Sequence, residues 1–138
     1  MTGESRYEGD LRELPLGSLA YVGDAVYELG MRTHVLQGPR RKAGKLHHLA
    51  VHYVNAGAQA KAFRALVDEK FVTDDEEKWL LRGRNVHPGA MAKNQDPLDY
   101  RLATGVETLF GYLYLSGRDA RIDELLNYII DVLDADQS

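Results

Sequence analysis

Asp24 and Glu107 are the residues of this 138-residue chain whose type and setting most directly suggest chemistry. Each carboxylate stands inside an apolar stretch, YVGDAVYEL for the first and ATGVETLFGYL for the second. Withdrawing a carboxylate from water costs several kcal/mol unless it is hydrogen-bonded, ion-paired or bound to a metal. Asp24 is therefore expected half sunk in a core with a partner. A glycine lies within two residues of each acid, Gly23 and Gly105, so another backbone or a ligand can come close. If the two stretches are helices packed side by side, the carboxylates meet. A pair of that kind suits a hard divalent cation such as Mg²⁺, which takes oxygen ligands and keeps several waters. Glu28, one helical turn after Asp24, is a candidate third oxygen. Spacing alone leaves a second reading open, in which the acids pair internally with Arg32 or Arg101 or simply face solvent.

Other chemistries find less support. The chain has no cysteine, so it offers neither disulfides nor thiolate metal sites, as befits a reducing compartment. It has no Gly-rich phosphate loop, and none of its few serines sits in a nucleophile-elbow context. His48 and His52 are four apart, with His47 adjacent, and could share a helical face as ligands. Without an HExxH pattern or a nearby carboxylate, they read better as solvated or phosphate-facing. No apolar run approaches the roughly 20 residues of a membrane span, and the polar N-terminus lacks a signal-peptide core, so the expected address is the cytoplasm.

The net charge of −4 argues against a polyanionic partner only until its distribution is read. No acid lies between Glu28 and Asp68, where Arg32, Arg40, Arg41, Lys42, Lys45, Lys61 and Arg64 gather. A second acid-free stretch, between Glu77 and Asp96, holds Lys78, Arg82, Arg84 and Lys93. Segregation of this kind can build a basic face on an acidic protein, and the local field decides where a polyanion docks. Solvated helix faces are the plainer alternative.

The elements that must position these groups are helical throughout. Residues 1–13 read as a flexible polar arm and residues 14–138 as one helical domain. The first helix spans Leu16–Val35 with Leu19, Val22, Val26 and Leu29 on its buried face, and Gly38-Pro39 ends it. After the basic turn 40–44, two helical segments break around Asn55–Gly57. Thr73 and Glu76 form a capping box that opens a helix ending near Gly83–Asn85, followed by a loop of about a dozen residues. Tyr100–Leu115 is the second strongly apolar helix, and a last amphipathic one starts at Asp119, read as its N-cap, and runs to about Leu133. No strand pattern and no repeat is found.

At these residues the chain resembles the ribonuclease III endonucleases, and specifically their short branch, Mini-ribonuclease III. LAYVGDAVYEL resembles the family's signature helix and TGVETLFGYLYL its second catalytic helix. RGRN, the later KN and the YR opening the next helix resemble the short branch. The similarity spans roughly Leu16 to Leu115, without a double-stranded-RNA-binding domain. It implies an all-helical, homodimeric endonuclease domain that cuts both strands of double-stranded RNA with Mg²⁺, leaving 5′-phosphate and 3′-hydroxyl ends. For the short branch it implies maturation of the large-subunit (23S) ribosomal RNA precursor with a ribosomal protein as helper. Asp24 and Glu107 take the places of the catalytic, metal-holding carboxylates. Gly17, Ala20 and Thr104 stand where longer relatives carry acids, a departure that fits the short branch and puts the number of metals in question. RNA contacts are expected from Arg40, Arg41, Lys42 and Lys45 on one side. Arg82, Arg84, Asn85, Lys93, Asn94 and Arg101 are expected to supply the other. The rival reading is a non-catalytic helical RNA-binding or ribosome-assembly module.

Overall fold

A computed structural model of the chain describes residues 4–86 and 96–135, and every regular element among them is helical. In chain order these are a short 3-10 turn (Leu11–Glu13), α1 (Leu16–Leu36), α2 (Ala43–Val54), α3 (Ala56–Asp68), α4 (Asp74–Arg84), α5 (Pro97–Leu115) and α6 (Asp119–Ala135). The expected all-α class is what the chain adopts. No helix among the described residues is long and apolar enough to cross a membrane.

Local sequence accounts for most of the boundaries. The Asn55 side chain caps α3 by accepting from the Ala58 amide, which separates α2 from α3. Thr73 and Glu76 close their capping box reciprocally, and Glu76 also takes the Arg121 guanidinium at 2.8 and 2.9 Å. α5 begins one turn earlier than expected, because Asp96 accepts from the Leu98 and Asp99 amides and Pro97 fits a first helical position. Gly117, at φ 77°, supplies the left-handed residue that stops α5. Asp119 is the first residue of α6 and not its cap; it pairs with Arg6 at 2.7 Å. In the segment expected as an arm, Arg6 also donates its backbone N–H to the Leu115 carbonyl at 2.7 Å and sets its guanidinium over the Tyr114 ring.

Backbone contact between α1 and α5 organises the rest. A Cβ on Gly23 would lie 1.6 Å from the Glu107 carbonyl oxygen, and one on Gly111 would lie 1.9 Å from that of Leu19. Only glycine permits this approach. It also rotates α1 relative to the expected face. The buried stripe is Leu19, Ala20, Gly23, Tyr27, Met31 and Val35, while Val22 and Val26 are only partly buried and Leu29 is 66% exposed. α5 is central, touching α1, α3, α4 and α6. Leu102, Val106, Leu109, Phe110 and Leu113 are buried on it, and Tyr27 meets Phe110 edge-to-face at 5.4 Å.

Candidate carboxylate site

The glycine contacts that bring α1 against α5 also set Asp24 and Glu107 side by side. Asp24 follows the glycine that touches the Glu107 backbone, and the two carboxyl groups lie within hydrogen-bonding reach. The distribution of burial reverses the expectation. Asp24 is exposed, because the rotation of α1 leaves it at the solvent edge of the buried stripe; Glu107 is the partly buried member. Burial pushes the Glu107 carboxyl up to about 8, reinforced by the adjacent Asp24 charge and its hydrogen bond. Below that pH Glu107 carries a proton and donates to Asp24.

Neither arginine considered for internal pairing answers these acids. Arg32 pairs with Glu28 at 3.1 Å, and Arg101 donates to the Arg84 carbonyl at 3.1 Å. Glu28 is thus engaged by Arg32 on the α1 surface. No cluster of three or more His, Asp or Glu side chains suited to a metal occurs among the described residues. His47 and His48 are exposed, and the His52 ring faces Tyr53 and Asp134. The donor chemistry nonetheless fits a divalent cation. Two carboxylates whose mutual repulsion and burial hold one of them protonated offer hard oxygen ligands, and a cation between them would relieve that repulsion.

Two residues beside the pair escaped the sequence reading. The side chain of Gln59 on α3 is almost fully buried, at 3% exposure, donates to the Val54 carbonyl at 3.1 Å and opposes the upward shift of the Glu107 carboxyl. Tyr27, one turn beyond Asp24, is fully buried and donates its hydroxyl to the Tyr53 carbonyl at 2.7 Å. Consecutive carbonyls at the end of α2, which a helix terminus leaves without partners, are in this way taken up by side chains of α1 and α3. A readable signal did exist for Gln59: it is the polar member of an otherwise apolar stripe with Ala62, Phe63 and Leu66.

The basic residues fall at two places in the fold. Arg40, Arg41 and Lys42 occupy the link between α1 and α2, Lys45 lies in the first turn of α2, and all four are exposed. Arg82 and Arg84 lie in the last turn of α4, with Asn85 as its C-cap. Arg82 sits over the Trp79 ring at 4.8 Å, and Arg84 donates to the Asn85 side chain at 3.2 Å. Arg101, through its bond to Arg84, ties the end of α4 to the start of α5. Lys93 and Asn94 lie outside the described residues.

Comparison with known proteins gives consistent matches. The Ribonuclease III domain family matches residues 17–118. The Mini-ribonuclease 3 of Enterococcus faecalis is 42% identical over 121 residues, covering 88% of this chain and 92% of that protein. The Gloeobacter violaceus Mini-ribonuclease 3 is 49% identical over 109 residues, covering 79% of this chain and 78% of its own. A crystal structure of a Fusobacterium nucleatum protein superposes with a TM-score of 0.78 at 23% identity, covering 90% of this chain and 98% of that one, a likeness of fold.

Proposed function

The chain belongs to the ribonuclease III family, in its Mini-ribonuclease III branch, and on that premise we propose that it is a Mg²⁺-dependent endoribonuclease acting on double-stranded RNA. The observation that carries this reading is the Asp24–Glu107 pair, two adjacent carboxylates with no arginine between them. Asp24 and Glu107 are the catalytic residues and would hold the cation. When bound, Mg²⁺ supplies Lewis-acid activation of water and stabilises the charge on the departing 3′-oxygen, leaving 5′-phosphate and 3′-hydroxyl ends. Asp24, exposed on α1, presents its carboxylate to the incoming phosphodiester. Glu107 forms the half-buried floor, and the glycine contacts keep the two acids in register.

Arg40, Arg41, Lys42, Lys45, Arg82, Arg84, Asn85, Lys93, Asn94 and Arg101 serve as RNA contacts in this reading. A-form RNA hides its base edges in a narrow major groove, so such contacts read shape and 2′-hydroxyls more than sequence. Residues 14–138 act as one catalytic domain that works as a homodimer in the cytoplasm. The exposed apolar positions on α1, Tyr21 at 82%, Leu29 at 66% and Leu36 at 65%, support a second copy as their cover. Following the resemblance to the short branch, the substrate is the precursor of large-subunit (23S) ribosomal RNA, presented with a ribosomal protein as helper.

The test is to incubate the protein with an end-labelled, base-paired RNA in Mg²⁺ and in EDTA. Cleavage of both strands in Mg²⁺ alone, leaving 5′-phosphates, is expected. A duplex that is bound yet stays intact under both conditions would establish the non-catalytic RNA-binding module instead.

A further inference from the structure

Three arginines stand where α4 ends and α5 begins, and one of them is held differently from the others. Arg84 donates to the Asn85 side chain and Arg101 to the Arg84 carbonyl. The guanidinium carbon of Arg82 instead lies 4.8 Å from the centre of the Trp79 ring, one turn earlier on α4. Trp79 is also stacked on Tyr112 of α5, with centroids 4.6 Å apart and planes at 21°. A ring has two faces; since Tyr112 takes one, Arg82 covers the other. Trp79 is accordingly only 4% exposed, while Arg82 stays exposed.

Shielding an apolar ring does not by itself call for arginine. The methylenes of a lysine, or a methionine, would cover comparable surface. What arginine adds is a planar cation that the ring face attracts and that still carries N–H donors along its edge. Arg82 makes no ion pair among the described residues, whereas Arg121 is taken up by Glu76 at 2.8 Å. The four acids of α4 lie in its first turn, at the far end from Arg82. Its donors are therefore open to an anion from outside. The ring beneath it is rooted in the core through Trp79, and Tyr112 packs against that core and carries Arg118 over its own ring at 5.4 Å.

We propose that Trp79, backed by Tyr112, is a positioning residue for RNA binding, holding the Arg82 guanidinium in place before a backbone phosphate of the duplex arrives. A long side chain fixed in advance loses less freedom on binding, which is worth about two- to tenfold in affinity. The inference rests on Arg82 as an RNA contact, and its test separates the two. Affinity for a labelled base-paired RNA is measured by fluorescence anisotropy in EDTA for wild type, Arg82→Ala, Trp79→Met and the double variant, a cycle that isolates the coupling between the two side chains. Methionine keeps an apolar, helix-compatible side chain and removes the ring. Thermal melts accompany each protein.

If wild type and Arg82→Ala bind the duplex equally, Arg82 is not an RNA contact, and the role of Trp79 falls with it. If Arg82→Ala binds more weakly, and Trp79→Met weakens binding about two- to tenfold with Arg82 present but leaves it unchanged in the Arg82→Ala background, the positioning role holds. A merely structural Trp79 would shift the melt and weaken binding equally in both backgrounds. That result, or a Trp79→Met that binds as wild type does, overturns the inference while the Arg82 contact stands. Should Trp79→Met fail to fold, Trp79→Phe, whose smaller ring attracts a cation less, is read in the same way. Failure of both to fold marks Trp79 as structural and overturns the proposal.

Discussion

Replacing Glu107 by glutamine should abolish cleavage and, in the absence of divalent cations, stabilise the fold. The folded-state value of about 8 stands roughly 3.5 pH units above the ordinary 4.5 of the side chain. Because the acid is raised, its favourable contribution is fully present below about pH 4.5, falls as the pH climbs, and is lost above about pH 8. At about 1.4 kcal/mol per unit the upper bound on the difference is about 5 kcal/mol. Water reaching the half-buried group reduces that to about 2 kcal/mol or a little more. The measurement is urea unfolding of wild type and Glu107→Gln in EDTA at pH 5 and pH 8.5. All other titrating groups are common to both proteins, so the change in their stability difference isolates Glu107. The variant should be the more stable at pH 8.5, and the gap should shrink at pH 5. A variant no more stable than wild type at pH 8.5, or a gap independent of pH, would refute the claim that burial and the Asp24 charge disfavour the ionised form of Glu107.

Gly111→Ala forces a Cβ to within 1.9 Å of the Leu19 carbonyl, so it should cost about 3 kcal/mol or more by urea unfolding and depress cleavage. By contrast Gly17→Ala, which meets nothing within 4 Å, should be neutral or stabilising by about 0.5–1 kcal/mol. Combined Arg82→Ala and Arg84→Ala should weaken duplex binding and flatten its dependence on salt by about one unit of log–log slope per lost phosphate contact; an unchanged slope removes the end of α4 from the contact surface. Leu29→Asp, at a position 66% exposed, should leave monomer stability within about 0.5 kcal/mol. It should nevertheless convert a dimer into a monomer in sedimentation velocity, and a persisting dimer would move the interface elsewhere.

Much of the helical order was readable because its signals are local. The Thr73–Glu76 box, the Asn55 break and the glycine stop after Ser116 each act through hydrogen bonds or backbone conformation within a few residues. The apolar stripes of α5 and α6 were legible for a related reason, since Leu109, Phe110, Leu125 and Ile129 repeat at helical spacing and are fully buried. The face of α1 was not. Its sequence carries apolar residues nearly all round, and which of them turn inward depends on the backbone contact at Gly23, a property of the partner helix. For the same reason Asp24 proved exposed and Glu107 partly buried. Gln59 stayed hidden because a lone glutamine on a helix is ordinarily solvated. Its burial follows from the packing of α3 and its bond to the Val54 carbonyl at the end of α2, neither of which its own sequence neighbours announce.

On the proposed reading, Asp24 and Glu107 together hold the cation that makes cleavage possible. Its most direct test is single-turnover cleavage of a base-paired RNA across a Mg²⁺ titration by wild type, Asp24→Asn and Glu107→Gln, with duplex affinity measured in parallel. Both variants should bind the duplex as wild type does and cut at least about 100-fold more slowly at every Mg²⁺ concentration, a barrier increase of about 2.7 kcal/mol. Cleavage by Asp24→Asn at the wild-type rate and with the wild-type Mg²⁺ midpoint would contradict the account.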